Sequence, residues 1–167
     1  MFTTIEHFKG SWKYESEGTS KMLGALTDVS LKQCVARDHR TIGRIAWHIA
    51  LAIPEMANRT GLHVAGPGEK DPVPTSAKAI KEAYFKAAAS LMEQVSNCWK
   101  DETLAVEDDM YGQKWTRGQT LAALVCHQIH HRGQMTVLMR QAGLPVPGVY
   151  GPSLEEWSQY KAPAPEI

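Results

Sequence analysis

Apolar residues in the first part of the chain recur at steps of three and four, the spacing of one face of an α-helix. The first such stretch starts at Ile5 and ends at Leu26, and Thr3 or Thr4 is placed to cap its N-terminus. The second stretch runs from about residue 41 to 58, and Thr41 is a candidate N-cap for it. We therefore predict two helices before the first long connection.

The same spacing continues in two further stretches. One follows Ser76, a candidate N-cap, and keeps its helical repeat as far as Trp99, with Lys and Glu on the opposite face. The other starts with Thr116 and Gln119, which match the S/T-x-x-E/Q capping box, and runs to about Ala142. Two more helices are therefore predicted.

The segments between and after these helices lack the helical repeat. Residues 61–74 are rich in glycine and proline, which predicts a long loop. Residues 101–115 are compatible with either a loop or a short hairpin, and one short helix could follow Ser153 before a Pro-rich end. The pattern predicts an all-α chain that forms a single four-helix-bundle domain over residues 1–167.

Composition and charge narrow the class of protein. A length of 167 residues suits one hydrophobic core, and 43% hydrophobic with 22% charged residues is typical of a globular protein. The 18 basic and 18 acidic residues give a formal net charge of 0, without the electrostatic footprint of nucleic-acid binding. No apolar stretch reaches the roughly 18 residues of a transmembrane helix, and the N-terminus lacks a signal peptide's apolar region. We expect neither nucleic-acid nor membrane partners.

The cysteines give information about the compartment. Cys34, Cys98 and Cys126 are an odd number at wide spacing and contain no CxxC pair. This pattern argues against a disulfide framework and against a thiolate zinc site. A reducing cytoplasm is the expected location, and Cys126 is interpreted as a small buried residue.

Four histidines bear on a metal site. His127 and His131 lie four residues apart in the predicted fourth helix, so they project from one face and could grip one metal ion. His130 points about 100° away from His131, so it cannot lie on one helical face with both His127 and His131. Gln128 stands where the HExxH motif of zinc proteases has its general base, so such a peptidase is not expected. His48, flanked by apolar residues in the second helix, could be a third ligand or a hydrogen-bonded core residue.

Several segments together carry a family resemblance. They are RIAWHI at 44–49, IPEM at 53–56, HQIHHRGQ at 127–134, LMRQAG at 138–143 and YGPS at 150–153. In this order, and over most of its length, the chain resembles the DinB/YfiT-like superfamily. The resemblance implies an antiparallel helical bundle with a long crossover after helix two, assembled as a homodimer.

The resemblance also implies a metal centre. His48, His127 and His131 match the positions at which the family holds an ion such as zinc, nickel or iron. Related proteins include isomerases and transferases that use low-molecular-weight thiols, whereas others are described as metal-dependent hydrolases. Three histidine ligands leave a coordination position open. An ion there could deliver a thiol to a small electrophilic substrate or activate water.

Two other kinds of function stay open at the sequence level. One is a non-catalytic metal-binding stress-response protein that acts as a dimer. The other, ranked last, is a nucleic-acid-associated damage protein, which the neutral charge disfavours. Loss of metal without loss of turnover would separate the first of these from an enzyme.

Further residues are candidates for the surroundings of the site. Gln134 and Glu55 each lie seven residues after one of the histidines, hence on the same helical face. Gln134 could orient a ligand or pack between helices, and Glu55 could support the site, act as a base or be a surface charge. Tyr111 and Tyr150 could line the pocket or pack in the core, and Arg132 is expected to contact the tail or solvent.

Overall fold

The computed structural model describes residues 1–161 and 163–166; Ala162 and Ile167, within the predicted Pro-rich end, lie outside the described residues. The described chain is mostly helical. Its four long helices are α1 (Ile5–Gly24), α2 (Ile42–Asn58), α3 (Ala77–Cys98) and α4 (Arg117–Gln141). All four confirm the helices predicted from hydrophobic spacing. None of the described helices combines the length and the apolar character that crossing a membrane requires.

Each long helix begins at a cap residue that the sequence predicts. The side-chain oxygen of the cap accepts the backbone N–H of the third helical residue, which satisfies a donor that has no partner within the helix. The caps are Thr4, Thr41, Ser76 and Thr116. At Thr116 the capping box is complete, since the Gln119 side chain accepts the Thr116 backbone N–H at 2.8 Å.

The helices pack in a fixed set of pairs. Both α1 and α2 lie against α3 and against α4. Fully buried side chains fill these contacts, among them Trp12, Ile49, Tyr84 and Leu121, and each contributes roughly 1.5–3 kcal/mol of hydrophobic free energy. The packing sets the histidine-bearing face of α2 against that of α4.

A short antiparallel hairpin precedes α4. Its strands are β1 (Glu107–Met110) and β2 (Gln113–Thr116). The turn residues Tyr111 and Gly112 have φ angles of 59° and 80°, the left-handed values that a type I′ turn requires. Of the two alternatives left open for residues 101–115, the hairpin is confirmed, and the described chain is mostly helical rather than all-α. The turn and the complete burial of Met110 stabilise strand pairing where no helical repeat exists.

The chain after α4 folds back over α1. The Tyr14 hydroxyl donates a hydrogen bond to the carbonyl of Val149. Leu154–Tyr160 forms a 3₁₀ helix, which confirms a short helix after Ser153. The other 3₁₀ segments of the described chain are Ser30–Lys32 and Asp101–Ala105.

Candidate metal centre

Three histidine side chains meet between α2 and α4. The Nε2 atom of His127 lies 3.1 Å from Nε2 of His48 and 3.2 Å from Nε2 of His131. The ligand nitrogens of the three residues all lie within 4.8 Å of one another. The helix spacing explains the pair on α4, and the packing of α2 against α4 adds His48. The structure therefore brings together the three residues that the resemblance implies.

Two of the three separations of these nitrogens fit a shared metal ion. Metal–nitrogen bonds of about 2.0–2.1 Å place two ligand nitrogens about 2.9 Å apart at right angles and about 3.4 Å apart at tetrahedral angles. The observed 3.1 and 3.2 Å fall within this range. Lone pairs of neighbouring Nε2 atoms repel one another unless a cation or proton lies between them. His48, His127 and His131 could hold one ion.

The surroundings keep these imidazoles neutral near pH 7. Burial, reinforced by the neighbouring histidines, lowers the pKa of His48 and that of His127 to about 4. Burial also lowers the pKa of His131, and its hydrogen bond to Gln134 partly opposes that shift. Metal ions bind the neutral form of histidine, so the site is prepared to bind without first losing protons.

Gln134 fixes the orientation of one imidazole. Its Oε1 lies 2.8 Å from His131 Nδ1, and because an amide oxygen only accepts, Nδ1 carries the proton. His131 Nε2 then presents its lone pair to the other histidines, as metal ligands supported by a second hydrogen bond do. The Gln134 amide nitrogen donates to His130, which lies outside the three-histidine cluster.

A cavity of about 520 Å³ opens beside His48 and His127. Glu55 and Tyr111 are also in its lining, so the structure brings both candidates to the site. The Tyr111 hydroxyl donates to Glu55 Oε2 at 2.7 Å, and Arg59 Nε donates to Glu55 Oε1 at 2.8 Å. Burial and this bond to Glu55 raise the pKa of Tyr111 to about 12. The Glu55 carboxylate is therefore held in a defined position near the histidines.

Tyr150, for which the sequence left open a place in the pocket or in the core, lies apart from the histidines. Its hydroxyl donates to the Glu15 carboxylate at 2.7 Å, and Arg132 donates to the hydroxyl at 2.8 Å. Arg132 contacts the tail as predicted, but it is buried in an ion pair with Glu15 at 2.6 Å rather than exposed to solvent. The fold of the tail over α1 is the physical reason, since it carries Tyr150 to the α1 side of α4.

Near the site, the sequence interpretation was wrong for Cys126 and missed Arg59. Cys126 is exposed rather than buried, because α4 directs the side chain before His127 away from the helix contacts. Arg59, whose bond positions Glu55, gave no signal beyond its spacing of four residues from that carboxylate. This spacing is common in solvent-exposed helices, so it did not single out Arg59.

Comparison with known proteins identifies the family to which the chain is similar. A match to the DinB family spans residues 1–165. The protein YrdA of Bacillus subtilis strain 168 is 46% identical over 167 residues, covering 100% of both chains. The crystal structure of a DinB-like protein from Bacillus cereus ATCC 10987 shares 51% identity and a TM-score of 0.87, covering 90% of this chain and 100% of that one.

A more distant structure shows the same fold. The DinB-like protein YjoA of Bacillus subtilis has 19% identity and a TM-score of 0.65, covering 82% of this chain and 92% of that chain. At this identity the likeness concerns the fold alone. The match over nearly the whole chain and the identity to YrdA confirm the resemblance carried by the histidine segments: this chain belongs to the DinB family.

Proposed function

We propose that this chain is a metal-dependent enzyme that transfers a low-molecular-weight thiol to a small electrophilic substrate. The observation that carries the proposal is the convergence of three neutral histidines beside an open cavity. Three protein ligands leave a coordination position for an exogenous molecule, as catalytic rather than structural metal sites do. Zinc, nickel and iron all suit three imidazole ligands.

The chain's own residues would prepare the reaction. A divalent ion held by His48, His127 and His131 supplies a Lewis acid that favours the thiolate over the thiol. Glu55 would accept the proton that the thiol releases, and Tyr111 and Arg59 hold its carboxylate toward the cavity. The thiol sulfur would form a bond to the electrophilic carbon, and the leaving group would depart with its electron pair.

Hydrolysis is the second candidate activity. The same carboxylate beside the histidines favours it, because Glu55 could take a proton from water as well as from a thiol. A non-catalytic metal-binding protein is the remaining alternative. It predicts metal binding without turnover of either kind of substrate.

The proposal extends to architecture and assembly. We propose an antiparallel four-helix bundle with a long crossover after α2, supported by the packing of α1 and α2 against α3 and α4. We also propose that the protein acts as a cytoplasmic homodimer with a small-molecule substrate. The resemblance to the family supports the dimer, and the neutral charge argues against a nucleic-acid partner.

The test combines metal content with turnover. His48→Ala, His127→Ala and His131→Ala should each lose metal and activity toward a panel of thiols with an aryl chloride, and toward nitrophenyl esters. His63→Ala is the control, because His63 is exposed in the loop after α2. Product formed only with thiol supports transfer, and product formed without thiol supports hydrolysis. Metal loss with undiminished turnover would contradict an enzymatic role for the histidines.

A further inference from the structure

Two arginines near the start of α2 differ from the other arginines of the chain. Five arginines pair with a carboxylate: Arg37 with Asp38, Arg59 with Glu55, Arg117 with Asp108, Arg132 with Glu15 and Arg140 with Glu155. Within residues 1–161 and 163–166 no ion pair joins Arg40 or Arg44 to an acidic side chain. Their positive charges therefore face solvent or a ligand.

Both arginines lie beside the three-histidine cluster. Arg44 lines the cavity that also contains His48 and His127, and it precedes His48 by one helical turn, a rise of about 6 Å. Arg40 lines a second cavity of about 590 Å³, together with Gln134. Arg44 therefore borders the cavity of the histidines, and Arg40 borders a second cavity on the Gln134 side of the site.

The position of these charges is electrostatically unfavourable without a partner. The first turn of α2 contains no acidic residue, and the positive end of a helix dipole disfavours cations there. The Glu55 carboxylate is bonded to Arg59 and Tyr111 rather than to Arg40 or Arg44. The other carboxylate of the cavity, Glu69, is exposed and forms no ion pair with a described residue. Arg44 therefore lines the cavity of the histidines as a cation that pairs with no carboxylate among the described residues.

We propose that the molecule that binds at the three histidines carries a carboxylate, which the Arg44 guanidinium recognises while Arg40 adds long-range attraction. Guanidinium and carboxylate groups match in a planar, two-bond geometry. Because Arg44 and His48 lie on adjacent turns of α2 and line one cavity, one small molecule can reach both side chains. The inference rests on the proposed function, because it assumes that a substrate binds at the histidines.

The first experiment compares three small thiols of similar length. The cobalt-loaded protein is titrated with 3-mercaptopropionate, 2-mercaptoethanol and cysteamine, and the thiolate–cobalt absorption gives each Kd without any turnover. Because Arg44 contacts the carboxylate, the protein should bind mercaptopropionate about tenfold more tightly than mercaptoethanol. Cysteamine should bind most weakly. Arg44→Gln should abolish this preference and Arg44→Lys should retain part of it. Arg37→Gln is the matched control and should keep it, since Arg37 lines neither cavity.

A second experiment separates this inference from thiol chemistry. Calorimetric titration with succinate and with succinamide should show tighter binding of succinate, again dependent on Arg44. If no thiol gives a cobalt band but succinate binds through Arg44, thiol transfer fails and the carboxylate site stands. Equal binding of succinate and succinamide, or a preference that survives Arg44→Gln, would overturn the inference.

Discussion

At the scale of single residues, the hydrogen bond from His131 to Gln134 supports the metal ligand most directly. The 2.8 Å contact fixes which ring nitrogen carries the proton. Gln134→Leu should therefore weaken metal affinity about tenfold or more, as loss of such supporting bonds does at other metal sites. Competition with a chromophoric chelator measures the change. Gln141→Leu, at an exposed position on the same helix, is the control, and unchanged affinity in Gln134→Leu would contradict the assigned role.

The depressed histidine pKa values predict how pH affects the metal-free protein. An unfolded histidine titrates near pH 6.5, whereas burial and the neighbouring histidines lower the pKa of His48 and His127 to about 4. Between these values the unfolded chain binds protons that the folded chain does not. The free energy of unfolding should therefore fall as pH falls from about 6.5 to about 4, with no further loss from these groups below that.

Urea unfolding of the metal-free protein between pH 7 and pH 4 measures this dependence. The double variant His48→Gln, His127→Gln should lose less stability over the same range, because its two side chains no longer titrate. Parallel pH profiles for the two proteins would show that these histidines are not the cause.

Some residues of the site could be predicted from the sequence alone, and others could not. His127 and His131 follow from helix geometry, because a spacing of four sets two side chains on one face. His48 needed the family resemblance, since a lone histidine among apolar residues is equally compatible with a core position. Tyr150 lies apart from the histidines because a hydrogen bond across the molecule, from Tyr14 to Val149, sets the path of the tail. Such a bond leaves no periodic signal in sequence.

At the scale of elements, a buried ion pair joins α4 to α1. Arg132 and Glu15 are both nearly inaccessible, and Tyr150 from the tail completes their hydrogen bonds. Arg132→Met should destabilise the protein by about 3–5 kcal/mol, because it leaves the Glu15 charge buried without a partner. Urea or thermal unfolding measures the loss.

Two comparisons isolate that contribution. Arg140→Met removes an exposed pair with Glu155 and should cost less than about 1 kcal/mol. The double variant Glu15→Leu, Arg132→Met should recover much of the lost stability, because neither charge remains buried. If Arg132→Met alone unfolds no more easily than Arg140→Met, the ion pair does not hold α1 against α4.

Elements were predicted well where a local signal existed. All four helix starts carry a cap residue, and the capping box at Thr116 and Gln119 marks the last one. The hairpin was ambiguous, because β1 and β2 have four residues each and their sequences, EDDM and QKWT, do not alternate cleanly. The turn at Tyr111 and Gly112 decides the outcome, and Tyr is an unusual residue for its left-handed position.

At the scale of the whole molecule, we propose that the homodimer put forward above forms through a groove between α1 and α3. It encloses about 980 Å³ and contains Phe85, which is 67% exposed, next to Ala89 and Met92. Lysine and glutamate side chains both line the groove, so a lysine of one copy could pair with a glutamate of the other. Phe85→Glu should therefore convert the proposed dimer to a monomer.

Light scattering coupled to size exclusion checks the assembly. Val137→Glu is the control, because Val137 is exposed on α4, away from this groove. A monomeric wild-type protein, or a dimer unaffected by Phe85→Glu, would contradict the assignment of this face.

The packing of the helices against one another was harder to predict from the sequence than the helices themselves. Hydrophobic spacing predicts which face of each helix is buried, but it does not say which helices meet. That α2 lies against α4, and so brings His48 to the other histidines, depends on contacts between residues far apart in sequence. The family resemblance pointed to His48 as the third ligand, which the helix pattern alone did not. The match over residues 1–165 confirms the family.

Direct identification of the bound ion tests the central claim most directly. We predict that the purified protein contains one divalent metal ion per chain. Anomalous scattering at the metal edge should place it within about 2.0–2.2 Å of the Nε2 atoms of His48, His127 and His131. A metal-free protein that takes up no zinc, nickel or iron on addition, or an ion bound away from these three residues, would contradict the account.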